Sequence, residues 1–334
     1  MRAIFVLEYK FSQDKCKYLG FLTLLYAGTT WLQNSRYSLK NSRWAVKKLE
    51  STSQSAGNIL QNGSSETMCN EIVERVKLIS NHVPKHYKPI NDEQFGHYIA
   101  GLIDGDGHFS SARQLVIVFS NPDAFLAYYL KTRIGYGTVN IEKSKKTVCF
   151  TVTKREGLEK ILNLINGKLR TQSKYDAVYD NILNVSSFNS LKSKIDFKLN
   201  NSNCLNNHWL AGFSDVSASF QIINLKPKME IRLAFLINNK NKELIILIKN
   251  FLGGNISYNK IKDSYTYNSS SYGSAKNVIE YFDRYPLLSR KHVNFLRWRK
   301  SYILIQNKEH LTEKGINKII KIKTLINRYD DTTI

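Results

Sequence analysis

Cysteine is scarce and scattered in this chain: Cys16, Cys69, Cys149 and Cys204 are the four in 334 residues, and no two form a CxxC pair. That spacing excludes a zinc ribbon and a disulfide framework, and it favours a reducing compartment over a secreted one. A long apolar run is missing too. Leu19–Leu32 is broken by Gly20, Thr23, Gly28, Thr29 and Thr30 and falls short of the roughly 20 residues a membrane-spanning helix needs. Met1–Lys17 contains Glu8 and Asp14, unlike an Arg- and Ser-rich transit peptide, so either no leader is cleaved or the protein is made where it works. Acid is in short supply as well. Against 27 Asp+Glu stand 49 Lys+Arg, a formal net charge of +22, which creates a strong positive field and makes a polyanion the natural partner. The basic residues are spread among aromatics and Asn rather than gathered in a tail, a pattern that favours an extended nucleic-acid face. A genome rich in A and T would inflate Lys, Asn, Ile and Tyr whatever the function, but it does not account for the Arg.

Composition divides the chain. Residues 1–48 form an N-terminal segment of unknown role, and Ser, Gln, Asn and Gly dominate the start of a polar linker over 49–91. From there the sequence repeats itself. His97-Tyr98-Ile99-Ala100-Gly101-Leu102-Ile103-Asp104 returns as His208-Trp209-Leu210-Ala211-Gly212-Phe213-Ser214-Asp215, 111 residues later (208 − 97). This gives a first half over 92–200 and a second over 201–334. Each copy is followed by a strand-like stretch, Leu115–Phe119 or Ile231–Ile237, and then by a helical run, Asp123–Arg133 or Lys242–Phe251, stopping at Gly135 or Gly253. Hairpin-like stretches over Thr138–Thr153 and Asn255–Ser269 and a helix from about Gly157 or Ser274 complete each half. The pattern is an α+β unit used twice.

In each copy the small pair, Ala100-Gly101 or Ala211-Gly212, strips bulk from one helix face and lets two backbones approach closely. The two helices are expected to pack along these strips with their C-terminal ends side by side. Gly105-Asp106-Gly107 follows the first copy and sets a carboxylate where the helix dipole is already negative, an unfavourable place unless a cation is bound. A hard cation such as Mg²⁺ suits one or two carboxylates with water and phosphate oxygens.

The run Ile99–Gly107 resembles the LAGLIDADG signature with two changes, Ile for Leu and Gly for Ala, and Leu210–Ala218 resembles a degenerate second copy. The resemblance is to intron-encoded homing endonucleases and group I intron maturases, many of them mitochondrial. It implies two pseudo-symmetric αββαββα halves packed through paired motif helices, with the sheets forming a DNA-binding saddle. It makes Asp106 the metal-binding acid, with Mg²⁺ as cofactor, and puts neutral Ser217 where the second acid belongs and Ala218 in place of the last glycine. It also implies a basic residue near each cleavage centre, for which Lys174 and Lys291 are the candidates alongside a plain phosphate-contact role. The expected activity is cleavage of double-stranded DNA at an intron insertion site by a monomer, reduced or confined to one strand by the missing acid. The alternative is a maturase that binds its host intron RNA without cutting DNA. Asp104 and Asp215 are expected to cap or support, and His97 and His208 to pack at helix starts. Arg113, Gln114, Lys143, Lys145, Gln221, Lys226, Lys228, Lys260 and Lys262 are expected at the DNA.

Overall fold

The computed structural model describes residues 78–225 and 230–331, so the N-terminal segment 1–48, most of the linker, and Lys226 and Lys228 lie outside the described residues. Helix α1 (Asp92–Gly105) starts where the Asn91 side chain accepts the Gln94 N–H, with Asp92 and Glu93 in the first turn; cap and acids together satisfy its positive end. It therefore begins five residues before His97, which lies inside the helix rather than at its start. The first half continues through β1 (His108–Ser110), β2 (Gln114–Ser120), α2 (Ala124–Ile134), β3 (Thr138–Glu142), β4 (Thr147–Val152), α3 (Arg155–Ile165), α4 (Gln172–Val178) and α5 (Asn189–Lys192). The second half runs α6 (Trp209–Ser217), β5 (Ala218–Leu225), β6 (Glu230–Asn239), α7 (Lys242–Leu252), β7 (Asn255–Asn259), β8 (Ser264–Asn268), α8 (Tyr272–Arg284), α9 (Lys291–Gln306) and α10 (Glu313–Asp331). The α+β unit used twice is thus the observed architecture.

Both sheets are antiparallel and have the same order, β1-β2-β4-β3 and β5-β6-β8-β7. Alternation along the strands gives each sheet one buried face. Leu115, Ile117 and Phe119 of β2 share theirs with Val148, Phe150 and Val152 of β4, while Gln114, Val116, Val118 and Ser120 turn the other way. In the second half Phe220, Phe235, Ile237 and Tyr267 fill the buried face, with the Phe220 and Phe235 ring centres 5.0 Å apart. Helices α2 and α7 both end on a left-handed glycine, Gly135 at φ 81° and Gly253 at φ 76°, whose N–H groups close onto Lys131 and Lys249 carbonyls.

The halves meet through α1 and α6, the most extensive contact between two elements among the described residues. A Cβ added to Gly101 would stand 2.0 Å from the Trp209 carbonyl oxygen, and one on Gly212 would stand 2.0 Å from that of Tyr98. No other residue type fits there, and the buried Ala100 and Ala211 beside them keep the approach close. A second tie is less obvious in the sequence. Residues 78–91 form no regular element but run along α9, where Ile79 exchanges hydrogen bonds with the Gln306 amide and His82 accepts from Arg299, itself paired with Asp283. They then cross to the first half, where Arg133 donates to the Ile90 carbonyl at 2.9 Å.

Candidate active site at the paired helix ends

Each motif helix carries a buried aspartate near its C-terminus, and the two are used alike. Asp104 accepts from the Arg170 N–H (2.8 Å), the Thr171 N–H (3.2 Å) and the indole N–H of Trp209 on the other motif helix (2.8 Å). Asp215 accepts from the Leu288 N–H (2.8 Å), the Ser289 N–H (3.1 Å), the Ser289 hydroxyl, and the phenol of Tyr98, again across the interface (2.6 Å). They bond neither of their own helix ends. Each latches its helix to the loop entering a later helix of its half and to the aromatic at the second position of the other copy. Burial pushes the Asp104 carboxyl up to about 6 against the pull of those donors, and it raises Asp215 as well. The sequence signal for this was the aromatic repeated at Tyr98 and Trp209. His208 precedes α6 without a side-chain capping bond and packs edge-on against Tyr285, with ring centres 5.1 Å apart.

Beyond these latches lies the one carboxylate at the end of the paired helices that faces solvent. Asp106 is the residue after α1, its N–H held by the Leu102 carbonyl at 3.0 Å. Its side chain is open to solvent, yet the surrounding protein displaces enough water to raise the carboxyl above the ordinary aspartate range. Lys174, His108 and Lys291 oppose that shift through their charges. The structure thus brings Asp106, Lys174 and Lys291 into one neighbourhood, from residues far apart in the chain. Ser217 is there too: a Cβ on Gly105 would lie 2.9 Å from its hydroxyl oxygen and 2.3 Å from Val216.

The lysines are not strictly equivalent. Matching the loop amides that hold the two aspartates aligns Thr171 with Ser289, which leaves Lys174 three residues beyond and Lys291 two beyond. Lys291 Nζ donates to the Ser214 carbonyl near the end of α6 at 3.2 Å, where a cation meets the negative helix end.

A cavity of about 370 Å³ opens on the Lys291 side, lined by Asp106, Asp123, Lys145, Arg290, Lys291 and Asn294 among others. Asp123, which looks like an ordinary helix-start acid in the sequence, accepts from the Ser120 hydroxyl and from the Arg290 N–H, both at 2.8 Å. It therefore joins the start of α2 to the start of α9. Sequence reasoning missed Asp123, Arg290 and His108 as site residues; His108 follows Gly107 and Arg290 precedes Lys291, whereas nothing beside Asp123 in the chain marks it.

A divalent cation suits part of this donor set. Asp106 offers one carboxylate beside a negative helix end, and Ser217 offers a neutral oxygen. Among the described residues no group of three His, Cys, Asp or Glu side chains converges. The arrangement fits a Mg²⁺-like ion shared with a substrate phosphate and does not fit a closed cage of protein ligands.

Tandem α+β units joined by glycine-seamed helices, with an acid at the seam's end, define a two-fold architecture rather than one protein. The sequence settles the class: the LAGLIDADG endonuclease family model matches residues 99–183 and 210–302, and the chain belongs to that family. It is 52% identical over 314 residues to the uncharacterized cox1 intron-2 37.2 kDa protein of Schizosaccharomyces pombe, covering 91% of this chain and 97% of that one. It is 30% identical over 272 residues to the intron-encoded DNA endonuclease aI3 of Saccharomyces cerevisiae, covering 65% of each. Its fold is that of the meganuclease I-SmaMI, solved bound to uncleavable DNA, with a TM-score of 0.59 at 20% identity over 70% of this chain and 98% of that one.

Proposed function

We propose that this protein is an intron-encoded, site-specific DNA endonuclease of intron homing. It acts as a monomer in the mitochondrion on double-stranded DNA at its intron insertion site. The observation that carries this reading is Asp106 at the meeting point of the motif helices, under the charges of Lys174 and Lys291. Family membership supports it, as does the net charge of +22. Asp106 is the residue that would hold Mg²⁺. When bound, the ion supplies activation of water and stabilisation of the leaving oxygen. Lys174 and Lys291 counter the charge that builds on the phosphate, and the aspartate latches keep the helix ends in register. Ser217 holds a cation far less well than a carboxylate would, so one strand is cut faster than the other.

The test is to incubate the full chain with Mg²⁺ and a duplex spanning the intron-free exon junction of its host gene, beside an Asp106→Asn control, resolving nicks from double-strand breaks. A break or nick abolished in the control is the expected result. No scission of either strand, with tight salt-sensitive binding to the host intron RNA, overturns the endonuclease reading and leaves a maturase.

A further inference from the structure

The placement of charge on the sheets speaks to which DNA is read, given the endonuclease reading on which this inference rests. Each sheet has one buried and one open face, and the strand registers fix which residues share the open one. In the first sheet these include Gln114, Val116, Val118, Thr138, Asn140 and Thr151, and among the described residues no Lys or Arg of these strands joins them. In the second, Gln221, Asn238, Asn255 and Ser257 line it, and Arg232 is the one strand cation there among the described residues, bound to Glu230 at 2.8 Å. Glu142 and His108 share the first of these faces, so what the two faces lack is cationic Lys and Arg rather than charge as such, which is unexpected in a chain of net charge +22.

Cations do stand at the adjoining hairpin turns. Arg113 sits between β1 and β2, Lys143 and Lys145 between β3 and β4, and Lys260 and Lys262 between β7 and β8, all exposed. Two-stranded ribbons fit the DNA major groove, where guanine is read chiefly by Arg or Lys and adenine by the amides of Asn or Gln, while thymine's methyl group takes apolar contacts. Cations at the ends of ribbons meet phosphate, which adds affinity without sequence information.

We propose that the two sheets select an A·T-rich target in which Asn and Gln amides read adenine, Thr and Val side chains pack on thymine methyls, and the hairpin-turn cations grip phosphate only. Specificity and charge are thereby separated on this protein.

The experiment is selection of bound duplexes from a library with randomised arms of equal base composition, using the full-length chain in magnesium-free buffer. Enrichment of A·T pairs at most arm positions is expected, with each A·T to G·C change weakening binding by about tenfold. Asn140→Arg then shifts one arm position toward guanine, whereas Lys143→Ala, at an exposed turn cation outside the cavity, weakens all sequences alike and lowers the salt dependence by about one counterion. Guanine enriched across the arms of the unmodified protein, or arms without base preference, overturns the inference while leaving the endonuclease reading intact. Failure to retain any duplex above non-specific levels removes that reading, and the inference with it.

Discussion

Gly101 and Gly212 each lie under a backbone carbonyl of the opposite motif helix, and an added Cβ would come within the same 2.0 Å of it. Five residues further on the copies part, with Asp106 and Gly107 in the first half and Ser217 and Ala218 in the second. The backbones part as well. Helix α1 stops at Gly105 and Asp106 leaves it at φ −142°, whereas α6 stays helical through Ser217 and passes straight into β5 at Ala218. A Cβ on Gly107 would stand 2.7 Å from the Ile103 backbone, so the turn that frees Asp106 from its helix depends on glycine there. The comparison teaches that helix packing constrains both copies jointly, since a change in either would push both halves apart. The acid and its turn serve one half only, and one half can lose them while the fold persists.

The largest effect should come from breaking what the copies share. Gly101→Val and Gly212→Val are each expected to destabilise the fold by more than about 3 kcal/mol, since backbone rather than a flexible side chain blocks the new atoms. Urea unfolding followed by circular dichroism checks this; a variant that keeps its midpoint would mean the helices can separate freely. Next comes what they do not share. Asp106→Asn should lower cleavage on the order of a thousandfold with the unfolding midpoint little changed, read in a strand-resolved cleavage assay.

The latches give a smaller effect with a sign. Burial raises Asp104 from 3.8 to about 6, so its contribution to stability is fully present below 3.8 and is lost as pH rises through about 6. The stability gap between the native protein and Asp104→Asn should therefore shift against the native protein over that window, by up to roughly 3 kcal/mol. A shift the other way would mean the three donors hold the carboxylate ionised more strongly than burial opposes it. The smallest effect sharpens the contrast between the copies. Ser217→Asp combined with Ala218→Gly should speed cutting of the slower strand about tenfold, and Ser217→Asp alone should do less because position 217 is still helical. Equal rates for the single and double variants would show that the turn does not matter.

The repeat, the small-residue seam, the strand alternation and the glycine stops at Gly135 and Gly253 were all legible in the sequence. Each follows from local spacing: a helix face that lacks bulk, a period of two, a left-handed residue at a helix end. Asp106 just past the first motif helix and Ser217 at the end of the second stand at equal offsets from the seam in the sequence, while the role of a metal-binding acid at that offset comes only from the resemblance to the LAGLIDADG signature. What tertiary structure alone decided joins residues far apart in the chain. The indole of Trp209 reaches Asp104, the phenol of Tyr98 reaches Asp215, and Asp123 takes the amide of Arg290. A side chain's neighbours along the chain carry no record of a donor a hundred residues away, so Asp104 and Asp215 read as helix caps until the crossing helices show where their partners lie. Likewise the number of Lys and Arg announces a polyanion, while only the strand registers reveal that, among the described residues, the open sheet faces carry Arg232 as their one Lys or Arg and that further cations stand at the adjoining hairpin turns.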